Sequence, residues 1–212
     1  MKVKVCGITS YDDAAMALDE GVDALGFNFF SRSPRYIRPE DARSIIRRIP
    51  PLVVTVGLFV NVDGPDQVSM AARAAGVQVL QLHGDETPEY CRALADWTLI
   101  KAVRIGKNGV PSGLEEYPVQ AFLLDARDDA LFGGTGRSFD WSLAREMQGM
   151  RPIIVAGGLR PDNVREAIRV VAPYGIDVCS GVECAPGKKD AARLRQFMDE
   201  VRNVDSVRHR PR

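Results

Sequence analysis

A single closed (β/α)8 barrel is the fold this sequence predicts, and three observations predict it. Eight short apolar or alternating runs recur along the chain, and several segments between them carry apolar residues on one helical face. The first run then leads directly into Cys6-Gly7-Ile8-Thr9. An open doubly wound sheet would be expected to place a glycine-rich dinucleotide turn there. The runs are spaced by about 25 residues, close to a minimal strand–helix unit. A chain of 212 residues fits the short end of barrel sizes.

The expected strands, in order, are Val3–Cys6, Ala24–Asn28, Val53–Val60, Val77–Leu82, Leu99–Val103, Ala121–Leu124, Ile153–Val155 and Ile176–Cys179. After the first, Ser10 stands three residues before Asp13 and predicts a capped helix that ends near Gly21. Ala42, Ile45, Ile46 and Ile49 share a helical face, as do Val68, Ala71, Ala72 and Ala75 ahead of Gly76. A short helix is expected over Pro88–Leu94. The glycine- and proline-bearing stretch from Val103 to Tyr117 reads as a loop holding one helical turn. Ser142–Met147 is a weakly periodic helix, and Pro161-Asp162 opens another that buries Val164, Ala167, Ile168 and Val171. Leu194, Phe197, Met198 and Val201 form the last apolar face. These signals make residues 1–202 one catalytic barrel and residues 203–212 a polar, basic tail expected to fray.

Hydrophobic residues make up 45% of the chain, which excludes disorder, and 28 basic side chains balance 28 acidic ones. With no global field to draw nucleic acid or an anionic membrane, an anionic ligand has to be held locally. The apolar stretch Ile49–Val60 is broken by Pro50, Pro51 and Gly57 and is too short to span a bilayer. Met1–Ile8 shows neither the apolar core nor the cleavage site of a secretory signal, so the expected location is the cytoplasm. Cys6, Cys91, Cys179 and Cys184 contain no C-x-x-C pair and only His83 and His209 accompany them, so reduced thiols without a metal are expected.

In such a barrel chemistry belongs at the carboxyl ends of the strands. Those positions hold Cys6, Asn28, Asn61, Gln81 with His83, Arg104, Asp125, Gly157-Gly158 and Ser180-Gly181. Cys6 and Asp125 supply proton-transfer groups that could face each other across the mouth and work on two sides of one small molecule. The turns after strands seven and eight, with Gly157, Gly158, Ser180 and Gly181, suit a phosphate held by backbone N–H groups. Phe132–Ser138 lacks the Lys-Ser/Thr end of a nucleotide cradle and reads as a glycine-hinged lid. Arg35, held near its place by Pro34, could fork onto a carboxylate. His83 is expected at most in a secondary, substrate-contact role.

The motifs, taken together, resemble those of the phosphoribosylanthranilate isomerase family of tryptophan biosynthesis. The resemblance rests on Lys4-Val-Cys-Gly-Ile-Thr9, Gly26-Phe-Asn-Phe29, Ser33-Pro-Arg-Tyr36, Gly57-Leu-Phe-Val-Asn61, Gln81-Leu-His-Gly84, Leu124-Asp-Ala126, Gly133-Gly-Thr-Gly136, Phe139-Asp-Trp141, Ala156-Gly-Gly-Leu159 and Ser180-Gly-Val-Glu183, in family order across residues 3–200. It implies an Amadori rearrangement of a phosphoribosyl-anthranilate substrate with no cofactor or metal, Asp125 as general acid and Cys6 as general base. It also implies Arg35 on the anthranilate carboxylate, the loops after strands seven and eight on the phosphate, and Asp177 on the substrate side. Arg137-Ser138 stands where many members have Lys-Thr, and the basic tail looks additional.

A pentose-phosphate epimerase would need clustered His and Asp metal ligands, and the histidine-pathway isomerase would prefer carboxylates at both catalytic strand ends. A catalytically silent barrel that only binds a phosphorylated metabolite would have no need of both Cys6 and Asp125. The sequence is compatible with a monomer or a homodimer.

Overall fold

The structure, a computed structural model, describes residues 1–105, 109–125, 147 and 149–208. Eight parallel strands close into a barrel in chain order: β1 (Lys2–Val5), β2 (Ala24–Asn28), β3 (Val54–Phe59), β4 (Val79–Leu82), β5 (Thr98–Arg104), β6 (Ala121–Asp125), β7 (Ile153–Ala156) and β8 (Gly175–Val178). Closure is made by β1 against β8, with Val3 opposite Ile176, Lys4 opposite Asp177 and Val5 opposite Val178. The observed strands differ from the expected ones by a residue or two at their ends.

Helices α1 (Tyr11–Asp19), α2 (Pro39–Ile46), α3 (Pro65–Ala75), α4 (Pro88–Arg92), α5 (Val164–Val171) and α6 (Ala191–Arg208) lie between or after the strands. Ser10 caps α1 as its sequence position predicts: its hydroxyl accepts the Asp13 N–H at 3.1 Å. Gly76 ends α3 with φ +80°, the left-handed turn only glycine adopts freely. On α5, Val164, Ala167, Ile168 and Val171 are all buried, the spacing that lays one helical face on the sheet. Burying such a valine or isoleucine contributes roughly 1.5–3 kcal/mol.

Two expectations need correction. The helix expected to open at Pro161-Asp162 begins at Val164, because Arg160 and Asn163 form a turn in which the Asn163 Oδ1 accepts the Arg160 N–H at 2.8 Å. The boundary at residue 203 falls inside α6, which continues to Arg208 and packs Val204 into the core at 4% exposure. Its apolar face therefore extends one turn beyond the four residues that announced it. A short hairpin after β8, β9 (Glu183–Ala185) with β10 (Lys188–Lys189), had no signal in the periodicity. The loop Phe132–Ser138 lies outside the described residues, as do residues 142–146 of the expected helix and residues 209–212. Among the described residues no helix is long and apolar enough to cross a membrane.

The core has two parts. A large shell between strands and helices includes Val5, Leu25, Leu80, Phe122 and Val178. A smaller plug fills the barrel from Val56, Val79, Ile100, Ala102, Ala121, Leu123, Ile154 and Ala156. Strand side chains alternate between those two environments, and this alternation sets what reaches the mouth.

Candidate active site

Extending the inward series by two residues takes Ala121 and Leu123 to Asp125, and Val79 to Gln81 and His83. On the closing strands the inward positions are Lys4 and Cys6, facing Asp177 and Cys179. Cys6, Asp125, His83, Asp177, Arg35, Gly157, Gly158 and Ser180 line one cavity of about 340 Å³ at the carboxyl end of the barrel. Of the candidate residues Asn61, Arg104 and Gly181 stand apart from its lining; a Cβ placed on Gly181 would lie 1.9 Å from the Leu159 carbonyl oxygen. Gly181 lets the loops after β7 and β8 touch. Gly181→Ala is expected to lower stability by about 1–3 kcal/mol, read as the denaturant midpoint, by wedging these loops apart.

Cys6 follows β1 directly and is 5% exposed, with its N–H donating to the Val178 carbonyl at 2.9 Å. Its thiol is held well below the usual cysteine range. A hydrogen bond from the Cys179 thiol is the largest cause, and the nearby Lys4 and Lys189 charges help overcome the opposing effect of burial. Cys179 is correspondingly pushed up by that hydrogen bond and by burial. Lys189 is fully buried and donates to the Cys6 carbonyl at 2.5 Å and to Glu183 at 3.0 Å.

Lys4 binds Asp177 at 2.9 Å inside the barrel. Burial works against the Lys4 charge, but the charges of Asp177 and Cys6 outweigh it and raise its pKa. Burial pushes Asp177 the other way, up to about 7, with the Lys4 attraction only partly compensating. Its Oδ1 is buried without a protein hydrogen-bond partner, while the residue lines the cavity.

On the other side of the mouth, His83 Nε2 lies 3.0 Å from Asp125 Oδ2, and the His83 Nδ1 lies 2.8 Å from Gln81 Nε2. An amide N–H facing Nδ1 makes that nitrogen the acceptor, so Nε2 carries the ring proton and donates to Asp125. The loop bearing His83 is pinned from below. Glu86 accepts the N–H groups of Asn61 and Gly84 at 2.9 Å and pairs with the buried Lys101 at 3.1 Å.

Arg35 reaches the cavity from the loop after β2 and forks onto Glu183, with Nη2–Oε2 at 2.6 Å and Nε–Oε1 at 2.9 Å. Burial would push the Glu183 carboxyl up, yet Arg35 and Lys189 hold it below the usual carboxylate range. Gly157 and Gly158 adopt φ +82° and +64°, and Ser180 starts a 3₁₀ turn through Val182. Among the described residues no group of three or more His, Cys, Asp or Glu is placed to hold a metal ion.

Four participants escaped the sequence reading: Lys4, Cys179, Glu183 and Lys189. Lys4 and Cys179 could have been found by extending strand alternation across the barrel closure. Glu183 closed the motif Ser180-Gly-Val-Glu183 without a role read for it, and Lys189 carried no signal, because both enter through the unpredicted hairpin.

A sequence model described as N-(5'-phosphoribosyl)anthranilate (PRA) isomerase matches residues 3–200. The chain is 50% identical over 205 residues to the N-(5'-phosphoribosyl)anthranilate isomerase of Trichlorobacter lovleyi, covering 96% of this chain and 99% of that one. It superposes on the phosphoribosyl anthranilate isomerase of Thermus thermophilus with TM-score 0.87 and 37% identity, covering 96% of this chain and 100% of that one. A phosphoribosyl anthranilate isomerase solved in complex with reduced 1-(o-carboxyphenylamino)-1-deoxyribulose 5-phosphate aligns with TM-score 0.82 and 38% identity, over 96% of this chain and 99% of that one.

Proposed function

Because the chain belongs to the N-(5'-phosphoribosyl)anthranilate isomerase family, we infer that it rearranges N-(5'-phosphoribosyl)anthranilate to 1-(2-carboxyphenylamino)-1-deoxyribulose 5-phosphate. This is a cytoplasmic step of tryptophan biosynthesis, run by side chains alone. The observation that carries the reading is the placing of Cys6 and Asp125, from β1 and β6, in the wall of one cavity.

In this mechanism Asp125 enters protonated and gives its proton to the ribose ring oxygen. The C1–O bond breaks, and the anthranilate nitrogen lone pair forms the C1=N double bond of a Schiff-base cation. The Cys6 thiolate then removes the proton from C2, and the released electron pair forms the C1=C2 bond of an enol-amine, neutralising the nitrogen. Tautomerisation of that enol yields the ketose. His83 steadies Asp125 through Oδ2 and meets the sugar from the same side. Asp177 faces the sugar hydroxyls with its buried Oδ1. Gly157, Gly158 and Ser180 hold the phosphate, with Gly181 keeping their two turns in contact. Arg35 receives the anthranilate carboxylate.

Purified protein incubated with freshly generated N-(5'-phosphoribosyl)anthranilate and a chelator is expected to quench the substrate fluorescence faster than buffer does. A rate equal to buffer would overturn the assignment. Arg35→Ala removes a charge-assisted contact made alike in the ground and transition states, so KM is expected to rise about tenfold or more while kcat stays within a few-fold. A lowered melting temperature with unchanged KM would instead make Arg35 a strut for Glu183.

A further inference from the structure

Cys6 and Cys179 are neighbours across the seam where the barrel closes. Val5 and Val178 are register partners, and the Cys6 N–H donates to the Val178 carbonyl at 2.9 Å. The two cysteines therefore follow directly on the last paired positions of adjacent parallel strands. Strands at that spacing hold paired Cα atoms about 4.8 Å apart, inside the roughly 4.4–6.8 Å window that a disulfide spans. The Cys179 sulfur lies 3.0 Å from where a Cβ on Gly7 would stand, so it leans over the backbone just after Cys6. Both residues line the open cavity.

We propose that Cys6 and Cys179 form a peroxide-oxidisable dithiol in the barrel mouth, with Cys6 as the attacking sulfur and Cys179 as the resolving one. The Cys6 thiolate attacks one oxygen of hydrogen peroxide or a small hydroperoxide. The O–O bond breaks, hydroxide (or alkoxide) leaves, and the sulfur is oxidised by two electrons to a sulfenic acid as the peroxide is reduced. Cys179 then attacks that sulfur; the S–O bond breaks, the S–S bond forms, and the hydroxyl leaves as water with the Cys179 proton. An external dithiol then reduces the disulfide by exchange, returning both thiols and leaving as its own cyclic disulfide.

The surroundings favour this order. Lys4 stands beside Cys6, and Lys189 lies between the two cysteines, donating to the Cys6 carbonyl and standing 4.0 Å from the Cys179 sulfur, and both charges favour the Cys6 thiolate. The other two cysteines are poorly suited to the reaction. Cys91 is fully buried and pushed up to about 11, mainly by burial, while Cys184 is exposed outside the cavity.

The test uses the folded full-length chain carrying Cys184→Ser, so that Cys179 is the single cysteine in its peptide. The protein is treated with stoichiometric hydrogen peroxide, alkylated, digested and mapped by mass. The expected result is a Cys6–Cys179 linked peptide pair, about 2 Da lighter than the sum of the free peptides, which dithiothreitol abolishes. Adding Cys179→Ser, with peroxide raised to at least two equivalents, is expected to remove the cross-link and take Cys6 through the sulfenic to the sulfinic acid, one equivalent for each step, about 32 Da heavier and not restored by dithiothreitol. Unmodified Cys6 in the first protein, or dithiothreitol-reversible oxidation of Cys6 in the second, would overturn the proposal. Loss of turnover on oxidation is also expected, and that readout alone rests on Cys6 being the base. If the cross-link forms and turnover persists, the catalytic assignment fails and the dithiol stands.

Discussion

Asp125→Asn is expected to lower kcat by roughly 10²–10⁴-fold, or about 2.7–5.4 kcal/mol of transition-state stabilisation. The amide is nearly isosteric and its oxygen still accepts from His83 Nε2, so the 3.0 Å contact and the loop that carries it can survive. What the amide cannot do is surrender a proton to the ring oxygen. The loss should therefore fall on kcat, with KM within a few-fold of the parent and little change in melting temperature. Steady-state kinetics beside a thermal melt check this. A kcat within threefold of the parent would remove Asp125 from the mechanism.

Cys6→Ser is expected to have an effect of the same order for the opposite reason. The hydroxyl sits in the same place but has no accessible anionic form near neutrality, so C2 loses its base. The parent kcat/KM should show an acid limb below the ordinary thiol value of 9.0, since the Cys179 hydrogen bond and the Lys4 and Lys189 charges hold the thiol low. In the proposed mechanism the thiolate is the base, so protonation at low pH switches it off. Lys4→Met removes one of those charges and should move the limb upward. Its activity deficit is then largest near neutrality and shrinks as pH rises. The buried Asp177 left behind is already pushed up to about 7 and can relax by taking a proton. An unshifted limb in Lys4→Met would mean that Lys4 does not support the thiolate.

Much of the fold was legible because its signals are local. The α5 face of Val164, Ala167, Ile168 and Val171 needs only its own spacing to be read, and all four are buried. The strand ends were legible for the same reason: Phe122-Leu123-Leu124 are buried and the next residue, Asp125, opens onto the cavity. The end of α6 was misplaced because the polar residues around Val204 outweighed a single apolar position in composition, whereas packing needs only that one side chain on the inner face. Of the residues proposed to act, Cys6 and Asp125 stood out because each ends an apolar run at the barrel mouth. Glu183 and Lys189 did not, since a charged residue near a turn reads as solvated until the turn folds back over the barrel.

Periodicity and the placing of glycine and proline determined that this chain alternates strands with helices, and which residues end the strands; those preferences act over one or two turns of chain. The partners those residues would meet were decided only by tertiary structure. Lys4 reaches Asp177 across 173 residues, Lys189 reaches Cys6 across 183 and Arg35 reaches Glu183 across 148. Contacts that long depend on β1 closing against β8, and closure is a property of all eight strands at once.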